Sequence, residues 1–523
     1  QVIGGLERNE QAGAIPPQYV LQDTIDQLDV ILNMQGTQPG PADQSEVYTN
    51  LRQKTARIDD LGDDERQALL DAALTATEEV FIPAYQALRD HLAYMAGIAV
   101  RDPDQWQLPG GRAYYDYLLA YYTGTDLSAG EIHGLGLDEV ARLQGEIQEA
   151  AADAGYPGDI NMAELNQRMA SDAQITTGDP LLREYERILA AAKQATGGFF
   201  DLQAKADVLI RTDRSGPPAC YNPPAPDSED PGEMPVNPDV SPRYVNYNEH
   251  VLVHHETIPG HHTQYALAQE LDLPVYQRFQ VTNPYLQDYP AQAYIEGWAL
   301  YAEGLAWEMG LYEGDPLANL GRIRLRLIRT VRMVVDTGIH AKGWSLDEAA
   351  EYIREATGMA QSRAHLTRYL VNPGYACGYN VGGLKILEMR QRAREQLGDR
   401  FDIKEFHNTV LGHGILPIGV LEGVVDDWLA QEPSGAPADT LPANGGGSPV
   451  AEALASLQNL PFDAFLESSY RQLQLRDPDQ LFVNGLAGEP RIPLPCRPIG
   501  QMGHRAVPPR RSIWLDTYTG VSV

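Results

Sequence analysis

The chain has 523 residues, of which 43% are hydrophobic and 21% are charged, and this composition excludes a wholly disordered protein. Its 40 basic and 72 acidic residues give a formal net charge of −32, so we expect it to be repelled by nucleic acid and by anionic membrane surfaces. The sequence contains no run of about 18 apolar residues, which argues against a transmembrane helix.

The first 431 residues predict a mainly α-helical body. Apolar residues recur every three or four positions between Asp60 and Val80, and Ser128 with Glu131 forms a capping box before another amphipathic segment. The proline-rich residues 213–245 predict a loop, and strand signals are confined to 208–247. Helices are predicted within 17–100 and at 290–309, 316–336, 346–357, 380–397 and 403–411.

Beyond the body, residues 432–450 read as a flexible linker of Pro, Gly, Ala and Ser, and an amphipathic helix is predicted from Phe462 onward. The three cysteines, Cys220, Cys377 and Cys496, allow one disulfide or none. The chain starts at Gln1 without a methionine or an apolar leader, which we interpret as the start of a processed, exported protein; a shortened chain would begin in the same way.

The stretch HHETIPGHH, His254–His262, is a candidate metal site. A catalytic zinc takes three protein ligands, mostly His and carboxylate, and the usual helical motif spaces its two histidines four residues apart. His255 and His261 are six apart, so in a continuous helix their side chains would diverge by roughly 120°. Pro259 lacks the helical N–H and Gly260 permits unusual backbone angles, so this pair is expected to interrupt the helix and bring His261 back toward His255.

The segment YIEGWALYAEGL supplies a candidate third ligand. Glu296 and Glu303 are seven residues apart, two helical turns, so they share one face. Gly297 directly follows Glu296 and would let another helix approach closely. We expect Glu296 to complete the ligand set and Glu303 to form ion pairs.

The segment LGRIRLRLIRTVRM carries three arginines at spacings of four and three residues. In so acidic a chain we expect Arg322, Arg326 and Arg329 to pair with carboxylates of the protein. A site for the carboxylate of a peptide substrate is the alternative.

Five motifs in this order resemble the bacterial family called domain of unknown function 885: HHETIPGHHTQ, YIEGWALYAEGL, VVDTGIHAKGW, RYLVNPGYACGYNVGGLK and GDRFDIKEFHNTVLGHGILPI. The resemblance covers about residues 10 to 430. That family is similar to the helical zinc peptidases of the carboxypeptidase Taq and oligopeptidase type. The resemblance implies a mainly α, metallopeptidase-like fold with a central groove and a small β element near the active site.

The resemblance also assigns roles at the metal site. His255, His261 and Glu296 match the family's motif positions as metal ligands, and Glu256 matches the glutamate that would act as general base. His254 and His262 flank the site, and we expect them to support it or to lie exposed. Between the neighbours His261 and His262 we favour His261 as the ligand.

Four further residues are candidates for substrate contacts. Tyr379 matches the family's Gly-Tyr and is the first choice for a donor to the oxyanion, with Tyr375 the weaker choice and a substrate-binding candidate. His340 is a third catalytic candidate, unless it is a structural histidine bonded to Asp336. Arg368 is a candidate for holding a substrate carboxylate by a bidentate pair.

The C-terminal part suggests a circular permutation. Residues 462–489 resemble the segment that normally opens this family, whereas the start of the chain resembles a later part of the family's N-terminal half. We therefore divide the chain into a body (1–431), a linker (432–450) and a permuted segment (451–523) that docks on the body. Docking on a neighbouring copy instead would make a homo-oligomer.

The sequence as a whole predicts an exported Zn²⁺-dependent hydrolase that cleaves short peptides or small amides with a metal-activated water. We expect no nucleic-acid partner and no membrane span. Two alternatives remain: a non-catalytic surface or assembly protein built on the peptidase fold, with the C-terminal segment as connector, and a hydrolase of non-peptide amides or esters.

Overall fold

The computed structural model describes residues 2–56, 58, 61–101, 111–174, 176–213, 220–224, 230–238, 246–278, 291–361 and 363–431. The described residues are mainly helical, which confirms the predicted fold class. None of the described helices is both long and apolar enough to cross a bilayer. The predicted linker at 432–450 and the predicted permuted segment at 451–523 lie outside the described residues.

The described residues form nineteen α-helices and two β-strands. In chain order they are α1 (Val2–Gln11), α2 (Gln18–Ile31), α3 (Glu46–Thr55), α4 (Asp63–Ala76), α5 (Ile82–Ile98), α6 (Gly111–Thr123), α7 (Ala129–Asp153), α8 (Met162–Asp172), α9 (Asp179–Ala195), β1 (Val208–Thr212), β2 (Gly232–Val236), α10 (Asn246–Glu256), α11 (His261–Glu270), α12 (Val275–Arg278), α13 (Gln292–Glu308), α14 (Pro316–Lys342), α15 (Leu346–Thr357), α16 (Arg363–Val371), α17 (Tyr375–Leu397), α18 (Ile403–Leu411) and α19 (Ile418–Ala430).

The chain divides into two compact units. The smaller contains residues 1–114, 345–347 and 363–371, and its core forms where α2 packs on α5. Leu21, Ile25 and Leu28 recur on one face of α2 and meet Leu92 and Met95 of α5, as expected for two amphipathic helices.

The larger unit contains the rest of the described chain, and its core is built around α13, α17, α18 and α19. Trp298 and Tyr301 of α13 are buried against Phe406 of α18 and Leu421 of α19. The two strands pair in parallel, with Val208 opposite Gly232 and Thr212 opposite Val236. This small sheet falls where the strand signals were predicted, at 208–247.

Most predicted helices are confirmed within a few residues, and two predicted bounds differ clearly from the structure. Helix α14 continues to Lys342, beyond the predicted end at 336, and stops at Gly343, whose φ of 76° suits glycine. Helix α17 begins at Tyr375 and not at 380, because its glycine-rich first turns are held by packing against α13 and not by helix propensity.

Candidate metal centre

Three helices of the larger unit bring together the three residues predicted as metal ligands. His255 lies at the end of α10, His261 at the start of α11 and Glu296 in the second turn of α13. The Oε2 atom of Glu296 is 3.6 Å from Nε2 of His255 and 3.7 Å from Nε2 of His261. One potential ligand atom from each residue lies within 4.8 Å of the other two, and the two histidines are buried.

The break between α10 and α11 makes this convergence possible. Helix α10 ends at Glu256 and α11 begins at His261, with a cis Ile258–Pro259 bond between them. A Cβ atom on Gly260 would collide with the backbone carbonyls of His254 and His255, so this close turn requires glycine. The rings of His255 and His261 consequently meet edge to face with their centroids 4.8 Å apart, although six residues separate them. This is the helix interruption that the Pro-Gly pair predicts.

The turn is anchored to the helix that carries the third ligand. The indole Nε1 of Trp298, two residues after Glu296, donates a hydrogen bond of 2.9 Å to the carbonyl oxygen of Pro259. The amide of His262 closes the turn by donating to the carbonyl of Thr257 at 3.1 Å. Because both bonds are made by buried groups, the turn and α13 are fixed relative to one another.

Glu303 fixes the second nitrogen of His255. Its Oε1 accepts a hydrogen bond of 2.8 Å from His255 Nδ1, and Arg329 Nη1 donates to both carboxylate oxygens at 2.8 and 3.0 Å. Glu303 is only 1% exposed, so both bonds are shielded from water. The bond from Nδ1 to this carboxylate directs Nε2 of His255 toward Glu296, which is how metal-binding histidines are usually oriented.

The ion pair predicted for Glu303 is therefore confirmed, but its bond to His255 was missed. The only signal in the sequence is that Glu303 follows Glu296 by two helical turns on one face. That spacing does not reveal which helix faces them.

Burial and neighbouring charges set the protonation of the cluster. Burial opposes a charge on His255, but contacts with Glu296 and Glu303 outweigh it and raise its pKa to about 9. Burial lowers the pKa of His261 to about 4, so this ring is neutral at pH 7. Burial, reinforced by the charge of Glu296, raises the pKa of Glu256 to about 7. A carboxylate that titrates near neutral pH is suited to proton transfer.

The flanking histidines point to other partners. His254 donates from Nδ1 to the carbonyl oxygen of Ile258 at 3.0 Å. His262 donates from Nε2 to the carbonyl oxygen of Ala206 at 3.1 Å, so its Nδ1 accepts from the Tyr221 hydroxyl at 2.9 Å. Because both nitrogens of His262 are used, the geometry favours His261 as the ligand. The bond to Ala206 also ties α11 to the residues just before β1, which places the small sheet beside the metal centre.

His340 lies beside a second buried cluster, which is centred on Asp336. The Asp336 carboxylate accepts hydrogen bonds from the Tyr115 hydroxyl at 2.7 Å and from the Gly374 amide at 2.9 Å, directly before α17. His340 stacks on the Tyr115 ring with a centroid distance of 4.9 Å. At the start of α17, the hydroxyls of the half-buried Tyr375 and Tyr379 are 3.0 Å apart.

Helices α13 and α17 approach each other closely where they cross. A Cβ atom on Gly297 would collide with the backbone at Gly382, and one on Gly382 would collide with the carbonyl of Ala293. This is the close helix approach that Gly297 predicts. Glu296 directly precedes the crossing on α13, and Tyr379 lies one turn before it on α17.

The predicted arginines divide between the two units. Arg368 has an exposed side chain on α16 in the smaller unit, and its role in binding a substrate carboxylate stays a prediction. The pairing of the three α14 arginines with carboxylates of the protein is confirmed. The pairs are Arg322–Glu146 at 3.7 Å, Arg326–Glu139 at 3.6 Å and Arg329–Glu303 at 2.8 Å.

The residues of the centre fit a divalent transition metal. Two imidazole nitrogens and one carboxylate oxygen form a typical donor set for catalytic zinc. The Glu296 Oε2 atom is buried and makes no hydrogen bond to any described residue. A buried acceptor of this kind beside two imidazole nitrogens calls for a cation.

Comparison with known proteins supports the family resemblance. The model of the family described as "Bacterial protein of unknown function (DUF885)" matches residues 1–425. A crystal structure described as "the putative lipoprotein from Colwellia psychrerythraea" is 31% identical with a TM-score of 0.73, and the match covers 82% of this chain and 73% of that chain. No curated protein matches the chain.

A second structure, described as that of "a putative lipoprotein", shows the same fold at lower identity. It comes from Shewanella oneidensis, is described as being of unknown function, and is 19% identical with a TM-score of 0.57, covering 78% of this chain and 73% of that chain. At this identity the similarity concerns the fold alone. The family match over residues 1–425 covers most of the chain, and the chain therefore belongs to the bacterial family DUF885.

Proposed function

We propose that the protein is a zinc-dependent hydrolase that cleaves short peptides. The observation that carries the proposal is the convergence of His255 Nε2, His261 Nε2 and Glu296 Oε2, with the buried Glu256 directly after His255 at the end of α10. The resemblance of the motifs to helical zinc peptidases supports the same reaction class, with a peptide held in a central groove.

His255, His261 and Glu296 would hold the metal, and Glu303 with Arg329 would keep His255 in the required tautomer. When bound, zinc supplies a Lewis acid and lowers the pKa of water to about 7. The protein's own contribution is a rigid donor set, because each ligand lies on a helix packed in the larger unit.

Glu256 is the proposed general base. It directly follows His255 at the end of α10, and its pKa of about 7 lets it accept a proton at neutral pH. Its carboxylate would take the proton of the attacking water and then pass that proton to the nitrogen of the departing amine. Positioned acid–base groups of this kind typically accelerate a reaction by about 10²–10⁴-fold.

Tyr379 is the proposed donor to the oxyanion that forms when an amide is attacked. Its position one turn before the α13–α17 crossing supports the assignment, and the Tyr375 hydroxyl at 3.0 Å orients it. His340 remains an alternative donor, although its stacking on Tyr115 favours a structural role. Arg368 remains the proposed partner for a substrate carboxylate.

Metal removal and reloading test the proposal. We expect the zinc-loaded protein to cleave members of a mixed peptide library, to lose this activity on chelation, and to regain it with one zinc per chain. Hydrolysis of non-peptide amides or esters without peptide cleavage would favour the alternative substrate class. Absence of both activities from a protein that binds one zinc would overturn the proposal.

Export and assembly are further proposals. The lipoprotein descriptions of the structural relatives support export. The family match ends at residue 425, so residues 451–523, which carry the proposed circular permutation, lie outside it. If this segment connects subunits of an assembly protein, deletion after residue 431 will reduce the particle size; unchanged size and solubility would exclude that role.

A further inference from the structure

Helix α14 carries five arginines, and among the four between residues 322 and 329 one lacks a carboxylate partner. Arg322, Arg326 and Arg329 each lie within 4 Å of a glutamate oxygen. Arg324 is the most deeply buried of the four, with 2% of its surface exposed, and no described residue forms an ion pair with it. In a chain with a net charge of −32, an unpaired buried arginine is unexpected.

The described contacts of Arg324 are all with neutral groups. Its Nε donates to Asn166 Oδ1 at 2.6 Å and its Nη2 donates to the sulfur of Met359 at 3.1 Å. The guanidinium carbon lies 6.0 Å from the centre of the Tyr247 ring. The third nitrogen, Nη1, is buried and makes no hydrogen bond to any described residue.

This arrangement leaves a full positive charge in the protein interior. A guanidinium does not lose its proton in proteins, and burying an uncompensated charge is strongly unfavourable. Asn166 is fixed as an acceptor, because its amide nitrogen donates to the carbonyl of Thr357 at 2.7 Å. The neighbours therefore satisfy part of the hydrogen-bonding capacity of Arg324, and the Tyr247 ring offsets only a small part of its charge.

We propose that Arg324 Nη1 binds a small monovalent anion, with chloride as the physiological ligand, between α8, α10 and α14. One guanidinium charge matches one negative charge, and the surrounding helices enclose the nitrogen. The buried, unpartnered N–H groups of Nη1 would donate to the anion, while Asn166 and Met359 hold the guanidinium plane in place.

The anion would connect the helices around it. Asn166 lies on α8, Tyr247 at the start of α10, and Arg324 on α14, so neutralising Arg324 stabilises the point where these three helices meet. The proposal concerns the stability of the larger unit and does not depend on the hydrolase assignment.

Thermal unfolding in matched potassium salts tests the proposal on the full-length protein. At constant ionic strength, replacing gluconate by chloride should raise the unfolding midpoint in a saturable way, by about 2 °C at ten times the dissociation constant. Arg324→Met should abolish this rise. Arg326→Met is the matched control and should keep it, because Glu139 retains Arg142 at 2.7 and 2.9 Å when Arg326 is removed. An equal chloride response in wild type and Arg324→Met would overturn the proposal.

Bromide diffraction gives a direct readout that does not require a variant to fold. Wild-type crystals soaked in bromide should show an anomalous peak within hydrogen-bonding distance of Arg324 Nη1. Ordered water alone at this position, in crystals that bind bromide elsewhere, would overturn the proposal.

Discussion

The four histidines of HHETIPGHH fall into two pairs with different surroundings. His255 and His261 direct Nε2 toward the same carboxylate oxygen of Glu296, at 3.6 and 3.7 Å. His254 and His262 use their nitrogens to hold the backbone at Ile258 and Ala206. Neighbouring histidines thus have two roles. One pair forms part of a candidate metal centre, and the other pair hydrogen-bonds to the backbone around it.

Between His255 and His262, the difference lies in the second nitrogen of the ring. His255 gives Nδ1 to a carboxylate and keeps Nε2 available, whereas His262 has a partner on both nitrogens. Metal sites are recognised by this arrangement of outer partners as much as by the ligands themselves.

The largest effect is expected for a substitution at the His255–His261 centre that should remove catalysis and leave metal binding intact. Glu256→Gln should lower the hydrolysis rate by about 10²–10⁴-fold, because the amide cannot accept the proton of the attacking water. Zinc content should stay at one per chain. The measurement is steady-state hydrolysis of a cleaved library peptide together with metal analysis.

Glu249→Gln is the control for this variant. Glu249 is also a buried glutamate of α10, and burial likewise raises its pKa to about 7. It lies two turns earlier, and we expect its substitution to leave the rate within about twofold of wild type, since it lacks a role in the centre. Equal losses in both variants would show that Glu256 acts through folding and not as a base.

Substituting His261 and His262 in turn tests whether the two pairs of histidines have different roles. His261→Ala should reduce zinc affinity by more than about 100-fold, since a ligand is removed and not merely an outer partner. His262→Ala should retain zinc but lower the midpoint of thermal unfolding, because the bonds to Tyr221 and Ala206 are lost. Competition with a chromogenic chelator measures the affinities. A reversed result, with zinc lost only in His262→Ala, would invert the assignment.

The outer partner of His255 is expected to have a smaller effect. Glu303→Gln weakens the bond to His255 Nδ1 and breaks the ion pair with Arg329, and zinc affinity should fall by about 10–100-fold. Glu308→Gln is the control on the same helix, since Glu308 pairs with Arg390 and not with a proposed ligand. If zinc affinity is the same in both variants, Glu303 does not orient the ligand.

Histidines held neutral by burial should make stability depend on pH. In the aromatic core, His407 donates from Nδ1 to Phe199 and accepts from Tyr301, and burial lowers its pKa to about 3. Below pH 6.5 the imidazole of His407 is protonated in the unfolded chain but stays neutral in the folded protein. The free energy of unfolding should therefore fall as pH decreases from 6.5, by about 2 kcal/mol at pH 5 from this residue.

Denaturant unfolding of the larger unit at pH 7 and pH 5 measures this effect. His407→Gln should reduce the difference between the two pH values, although it lowers stability at both. His413→Gln, at an exposed position on the turn after α18, should leave the difference unchanged. A pH dependence that is the same in all three proteins would contradict the neutral, buried state of His407.

Much of the fold follows from local sequence patterns. The bounds of α13, α15 and α18 are predicted to within two residues; α15 and α18 each bury one face, whereas α13 is buried on nearly all sides. The start of α17 could not be predicted, because its glycines disfavour a helix and only the contact with α13 stabilises it. Propensity is a local quantity, whereas helix packing is not.

The candidate site was likewise predictable from local sequence only in part. Pro259 and Gly260 predict the break that turns His261 toward His255, and Glu296 follows from the family resemblance. The partners of Glu303, His262 and Asp336 lie between 26 and 221 residues away in sequence, so no local pattern identifies them. Long-range contacts of this kind appear only once the chain is folded.

The position of the metal tests the central claim most directly. A crystal of the zinc-loaded protein, measured on both sides of the zinc absorption edge, should show one anomalous peak about 2.0–2.2 Å from His255 Nε2, His261 Nε2 and a carboxylate oxygen of Glu296. No peak at this site, or a peak coordinated by His254 or His262, would contradict the account.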